Sequence, residues 1–244
     1  MSIELLLVLA GALAGGLVLG LTGFGTGITA LVFWLHAVPP VVAGPLVVVC
    51  SLIGQVQTLP KIWHAINLRR VAPFIVGGLL GVPIGTLLLA HVSVAAFKFC
   101  VGVLLVSYCS YMLLARVQTR IAWGGRAVDA LVGFIGGILG GLAGISAPPV
   151  TVWTGLRDWS RDARRAVLQA FNTTILSFAL LSQLVAGFMT VELLKATLVA
   201  LPGTLLGTWL GRRAYDRLSD ARFAQVVLVV LLISGTMLIV SALR

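Results

Sequence analysis

The chain has 244 residues, of which 59% are apolar and only 10% charged, and it carries 28 glycines. Soluble domains hold about 45–50% apolar residues on a count that includes glycine, and about 25% charged ones. One soluble core could not hide this much apolar surface, and the same figures exclude disorder, collagen, a coiled coil and a small disulfide scaffold. The composition is that of a polytopic membrane protein.

The net charge of +10, from 17 basic and 7 acidic residues, fits either a nucleic-acid partner or loops on one face of a membrane. Its placement decides between them. Eight apolar stretches can be marked in chain order: 3–21 continuing through 28–35, then 41–59, 71–90, 94–115, 130–142 continuing through 150–156, 166–189, 191–211 and 223–243. Glu4 stands where a signal peptide would carry positive charge, so the first stretch reads as a retained membrane segment. Six stretches have the length of single helical spans, about 19–24 residues for a hydrocarbon core of about 30 Å. The first and fifth are interrupted, by Thr22-Gly23-Phe24-Gly25-Thr26-Gly27 and by Gly144-Ile145-Ser146-Ala147-Pro148-Pro149.

The interrupted stretches are related. At an offset of 121, residues 15–23 match residues 136–144 at five of nine positions, and near 122 Gly81, Gly85 and Thr86 face Gly203, Gly207 and Thr208. The chain therefore reads as a duplication, with repeats 1–120 and 121–244. Of the 17 basic residues, 14 fall in four segments, around 61–70, 116–126, 157–165 and 212–222. Simple alternation of eight spans leaves one of these segments on the wrong side. Treating each interrupted stretch as a re-entrant hairpin puts all four in the cytoplasm and both termini outside. Each half then has an odd number of crossings, so the second is inverted. The expected fold is thus all-α, with two inverted repeats, each a Gly/Pro-broken hairpin plus three transmembrane helices. Eight ordinary spans with one misplaced loop is the alternative. The charge becomes a topology map, and nucleic acid is not an expected partner.

Unpaired backbone groups are costly at membrane depth and persist where they line a polar cavity; half-helix N-termini there are suited to anions. Pro148 and Pro149 fit the first turn of a new helix. That helix would aim the N–H groups of Val150 and Thr151 at the bend, as Gly25, Thr26 and Gly27 do in the first half. Ser51, Gln55 and Thr58 share one helix face, and Gln169, Asn172, Thr173 and Ser177 form a similar stripe in the second half. These residues read as pathway lining, or as interhelical hydrogen bonding.

Other signals carry less. His36, His64 and His91 share no metal-ligand spacing, so no metal and no cofactor is expected. Cys50, Cys100 and Cys109 read as buried thiols. Trp34, Trp63 and Trp153 near span ends read as interfacial anchors, and the run 157–165, with Asp158 and Asp162, as a solvated loop. Ser146 after Gly144-Ile145 has a nucleophile-like setting without an Asp–His pattern.

The motifs Leu21-Thr22-Gly23-Phe24-Gly25-Thr26-Gly27 and Gly141-Leu142-Ala143-Gly144-Ile145-Ser146-Ala147-Pro148-Pro149, with Arg165-Ala166 after them, resemble the sulfite exporter TauE/SafE family over essentially the full length. Many members carry Gly at the positions of Thr26 and Ala147; either side chain narrows the pocket. The resemblance implies movement of a small sulfur-containing anion, often outward, across a bacterial inner membrane. Residues and resemblance together predict a secondary transporter, with a passive anion channel or an intramembrane enzyme using Ser146 or a histidine as the alternatives. The expected site comprises Thr22, Gly23, Phe24, Gly25, Thr26, Gly27 and Gln55 from the first half. From the second come Gly144, Ile145, Ser146, Ala147, Pro148, Pro149, Asn172 and Thr173. The oligomeric state is not expressed in the sequence.

Overall fold

A computed structural model describes residues 3–58, 66–114, 124–215 and 220–243. Lys61, Trp63, His64, Arg116, Arg120, Arg217 and Arg244 lie outside the described residues. The described chain is helical without strands: α1 (Ile3–Thr22), α2 (Thr26–Trp34), α3 (Pro40–Thr58), α4 (Leu68–His91), α5 (Val94–Leu114), α6 (Gly125–Ala143), α7 (Ala147–Gly155), α8 (Arg161–Val185), α9 (Val191–Tyr215) and α10 (Asp220–Ala242). Among the described residues, 7 helices (α1, α3, α4, α5, α6, α8 and α9) are long and apolar enough to cross a membrane. The chain is a multi-pass helical membrane protein.

Both interrupted stretches break where expected. Gly23 and Gly25 take φ of 84° and 99°, and Gly144 takes 68°, in the left-handed region that side chains avoid. The chain reverses there into α2 and α7, each 9 residues long. Nine residues rise about 13 Å, less than half of a hydrocarbon core of about 30 Å. The returning legs are too short to cross.

A tryptophan pins each returning leg to the helix before it. The Trp34 indole N–H donates to the Val8 carbonyl at 2.9 Å, and that of Trp153 to Asp129 Oδ1 at 2.6 Å. Arg157 also donates to Asp129 Oδ1, at 2.9 Å, and stacks on the Trp153 ring at 4.8 Å. Trp34 is 0% exposed and Trp153 8%. The expectation of interfacial anchors is therefore corrected: each indole has an acceptor inside the protein, so the whole ring can be buried. Arg157 is likewise not a freely solvated loop cation, because Asp129 holds it. Of the cysteines, Cys50 and Cys109 are buried, but Cys100 is exposed on α5.

The hairpins are held by the opposite half. α1 packs along α9 and α6 along α4. A Cβ added at Gly77, Gly81 or Gly85 would lie 1.8, 2.2 or 2.0 Å from the carbonyl oxygens of Ala130, Phe134 or Ile138. In return, Gly133, Gly137 and Gly141 lie against the carbonyls of Phe74, Gly78 and Val82. The first hairpin repeats the pattern: Gly16 and Gly20 meet the carbonyls of Thr204 and Thr208, while Gly203, Gly207 and Gly211 meet those of Leu9, Leu13 and Leu17. Small residues let backbones approach this closely, where Cα–H groups face carbonyls at about 0.5–1 kcal/mol each.

Replacing Gly137 or Gly207 by Ala is expected to lower the unfolding temperature in detergent, because the new Cβ meets backbone that moves only if the helices part. Overpacking of this kind costs about 1–3 kcal/mol. Gly155→Ala, with nothing within 4 Å of the added Cβ, should leave the transition unchanged. Equal thermal shifts for all three variants would remove the interlock from the fold.

Candidate anion site

The two hairpin tips meet. A cavity between them is lined by Gly25, Thr26, Gly27 and Ile28 of the first, Gly144, Ile145, Ser146, Ala147 and Pro148 of the second, and Ser51 and Asn172 of α3 and α8. The contact is direct, since a Cβ on Gly27 would lie 3.0 Å from Ile145 Cγ1 and 3.2 Å from the Gly144 carbonyl oxygen. About 10 Å³ is open to the centre of a water-sized molecule, room for about one water. No ionisable side chain lines it.

What does line it is the start of two helices. At the starts of α4, α5, α8 and α9, side chains accept from first-turn N–H groups: Asn67 from Arg69 and Arg70 at 3.1 and 3.3 Å, Ser93 from Ala96 at 3.2 Å, Ser160 from Ala163 at 3.2 Å and Thr190 from Leu193 at 3.2 Å. α2 and α7 have no such side-chain cap. The first bond of α2 runs from the Thr29 N–H to the Gly25 carbonyl at 3.1 Å, leaving the N–H groups of Thr26, Gly27 and Ile28 without a partner in the helix. Each helix start carries about half a positive charge from its aligned peptides. The Thr26 side chain is 1% exposed and its hydroxyl has no partner. Ser146 is fully buried, and its hydroxyl donates to Asn172 Oδ1.

The second tip differs from its expected form. α7 starts at Ala147, with Ser146 as its N-cap, so Pro148 and Pro149 fill its second and third positions. Both prolines lack an N–H, and Thr151 lies a full turn inside α7, so its N–H is not presented at the bend. The Ala147 N–H remains, beside the Ser146 hydroxyl. Pro149 does not line the cavity.

Other expected site residues separate from the tips. Thr22 is exposed, and its hydroxyl donates to the carbonyls of Val18 at 2.9 Å and Phe24 at 2.6 Å. It is committed to closing the end of α1, a local use of threonine that competes with any ligand. Phe24 packs beside a core cluster shared by both halves, with Val48 and Phe74 from the first and Phe171 from the second. Ser177 is exposed on α8, so it leaves the proposed polar stripe. Gln55 and Thr173 are joined by a hydrogen bond from the Thr173 hydroxyl to Gln55 Oε1, and neither lines the cavity.

Ser146 has no general base beside it, because its partner is an amide oxygen, which does not accept a proton at neutral pH. His36 and His91 are exposed and turn back on the Val32 and Leu87 carbonyls of their own helices at 2.8 and 2.9 Å. Among the described residues no group of three potential metal ligands stands together. Two cavity-lining residues, Ile28 and Ser51, were absent from the expected site, as was Asp129, which holds the second hairpin from outside the cavity. Ile28 enters as the third residue of a half-helix that begins one residue after Gly25. Asp129 stands just before an apolar stretch, where its carboxylate carries no motif.

Comparison with known proteins converges on the same class. A model of the family described as sulfite exporter TauE/SafE matches residues 7–238. The chain is 28% identical over 253 aligned positions to the "Probable sulfite/organosulfonate exporter TauE" of Cupriavidus necator, covering 99% of this chain and 98% of that one. No solved structure matches. The chain belongs to the sulfite exporter TauE/SafE family.

Proposed function

We propose that the protein exports a small sulfur-containing oxyanion, sulfite or an organosulfonate, bound between the tips of α2 and α7. The observation that carries this reading is the meeting of two uncapped helix starts in one buried cavity beside the unpartnered Thr26 hydroxyl. Two helix dipoles together offset about one unit of negative charge. The N–H groups of Thr26, Gly27, Ile28 and Ala147 and the hydroxyls of Thr26 and Ser146 supply donors around it. A site without fixed cations binds an anion and also lets it leave. The name of the Cupriavidus necator relative supports sulfite and organosulfonates as the class.

A cavity with room for about one water is too small for an oxyanion, so the tips part when it binds. Rocking of one half against the other supplies that movement. In this reading residues 1–120 and 121–244 are inverted repeats. Exchanging α1–α5 with α6–α10 turns the α1–α9 pair into α6–α4, the α3–α9 pair into α8–α4, and the α5–α10 pair into itself, all of which pack together. The basic loops then face the cytoplasm of a bacterial cell and the termini face outward.

Thr26→Val and Ser146→Ala should each weaken sulfite binding about tenfold or more, measured by calorimetry on purified protein under nitrogen. The unfolding temperature should be unchanged for Thr26→Val, whose hydroxyl has no partner, and lowered for Ser146→Ala, which loses its bond to Asn172. Hydrogen bonds to charged groups contribute about 1.5–3 kcal/mol. Unaltered affinity in both variants would remove the tips as the site. In a cysteine-free background, single cysteines at Arg69 and Ala186 should react with impermeant maleimide from opposite faces of oriented vesicles. Labelling from one face would end the inverted arrangement.

A further inference from the structure

We infer that Gln55 and Gln169 form a second anion-binding station, one helical turn from the tip cavity toward the basic end of the protein. This inference rests on the anion reading above.

Gln169 is 1% exposed, and neither its Nε2 nor its Oε1 has a hydrogen-bond partner. Gln55 is 2% exposed; its Oε1 accepts from the Thr173 hydroxyl, and its Nε2 has no partner. Buried amides left unpaired cost stability, and methionine would fill the same volume without that cost. Two such amides on facing helices are more than packing requires. A backbone constraint also reserves space here. Gly23 has φ of 84°, and a Cβ on it would lie 2.4 Å from Gln169 Nε2, so the break admits this amide only while residue 23 is glycine.

The two glutamines are displaced from the cavity in the same direction. Gln55 lies one turn beyond cavity-lining Ser51, toward the end of α3 where Arg212 donates to the Gln57 carbonyl at 2.8 Å. Gln169 lies one turn before cavity-lining Asn172, toward the start of α8 with Arg164 and Arg165. The hydrogen bond between Thr173 and Gln55 joins the two helices at this level. An anion drawn to the basic end by its field meets these amide donors before it reaches the tips. Primary amides donate to an oxyanion without fixing it, as a station on a path requires. Gln55, expected at the tip site, thereby takes a separate role, and Gln169 joins it.

The test is [³⁵S]sulfite flux under nitrogen in vesicles of one known orientation, with the apparent KM read from each face. Gln169→Met and Gln55→Met should raise the KM about tenfold from the face bearing the basic loops, and change it less than twofold from the other face. The unfolding temperature of Gln169→Met should be unchanged or higher, because an amide unpaired at both atoms is removed. An equal rise from both faces, or no change from either, would overturn the second station. Thr26→Val in the same vesicles separates the two readings. If it leaves both KM values unchanged while Gln169→Met shifts one, the tip site fails and the station stands. Wild-type vesicles that carry no sulfite would overturn both.

Discussion

In a bilayer every backbone N–H and C=O must find a partner within the protein, because lipid offers none. This fold breaks that regularity twice, at Gly23–Gly25 and at Gly144–Ser146, and the rest of the structure depends on how the freed groups are used. At the helix starts exposed by the breaks, side-chain caps of the kind that close α4, α5, α8 and α9 are missing. Thr22 closes the end of α1 instead of opening a site. Helix-start N–H donors are thus left unpaired on one side of each bend. Helix-end carbonyls on the other side are met by the Thr22 hydroxyl in the first hairpin and by the Gly144 and Ile145 N–H groups in the second. This difference gives the bends their polarity toward negative charge.

Two kinds of contact keep the tips in place. The indoles of Trp34 and Trp153 fasten each short leg to its own first helix, through the Val8 carbonyl and the Asp129 carboxylate. The equivalence is close, since Val8 and Asp129 are 121 positions apart, the offset of the repeat. Glycine faces then set each first helix against the fourth element of the opposite half, with backbone meeting backbone. In the proposed transport cycle, a hairpin packed against the opposite half would not move alone, so movement of the halves would be coupled to parting of the tips.

Much of the fold was legible in the sequence because a bilayer leaves few choices. Long apolar runs became helices to within a few residues, and the glycine clusters became bends because only glycine takes the φ values found at residues 23, 25 and 144. Glycines at 81, 85, 203 and 207, which drew notice only as matching positions, lie against the backbone carbonyls of Phe134, Ile138, Leu9 and Leu13. What sequence could not express was the use of polar atoms. Trp34 and Trp153 stand where interfacial anchors would, but acceptors distant in sequence draw them inside. The register of α7 turns on one residue, and starting at Ala147 instead of Pro148 draws Thr151 a full turn into the helix. Gln55 and Thr173 were expected at the tips, but they hydrogen-bond each other across α3 and α8 and neither lines the cavity.

The anion site made from helix starts is tested most directly by locating the anion itself. Selenite has the charge and shape of sulfite and scatters X-rays anomalously, so its position can be read from crystals grown with it. The expected result is an anomalous peak within hydrogen-bonding reach of the N–H groups of Thr26 and Gly27 and of the Ser146 hydroxyl. Selenite that competes with sulfite for transport but gives its strongest peak away from both hairpin tips would contradict it.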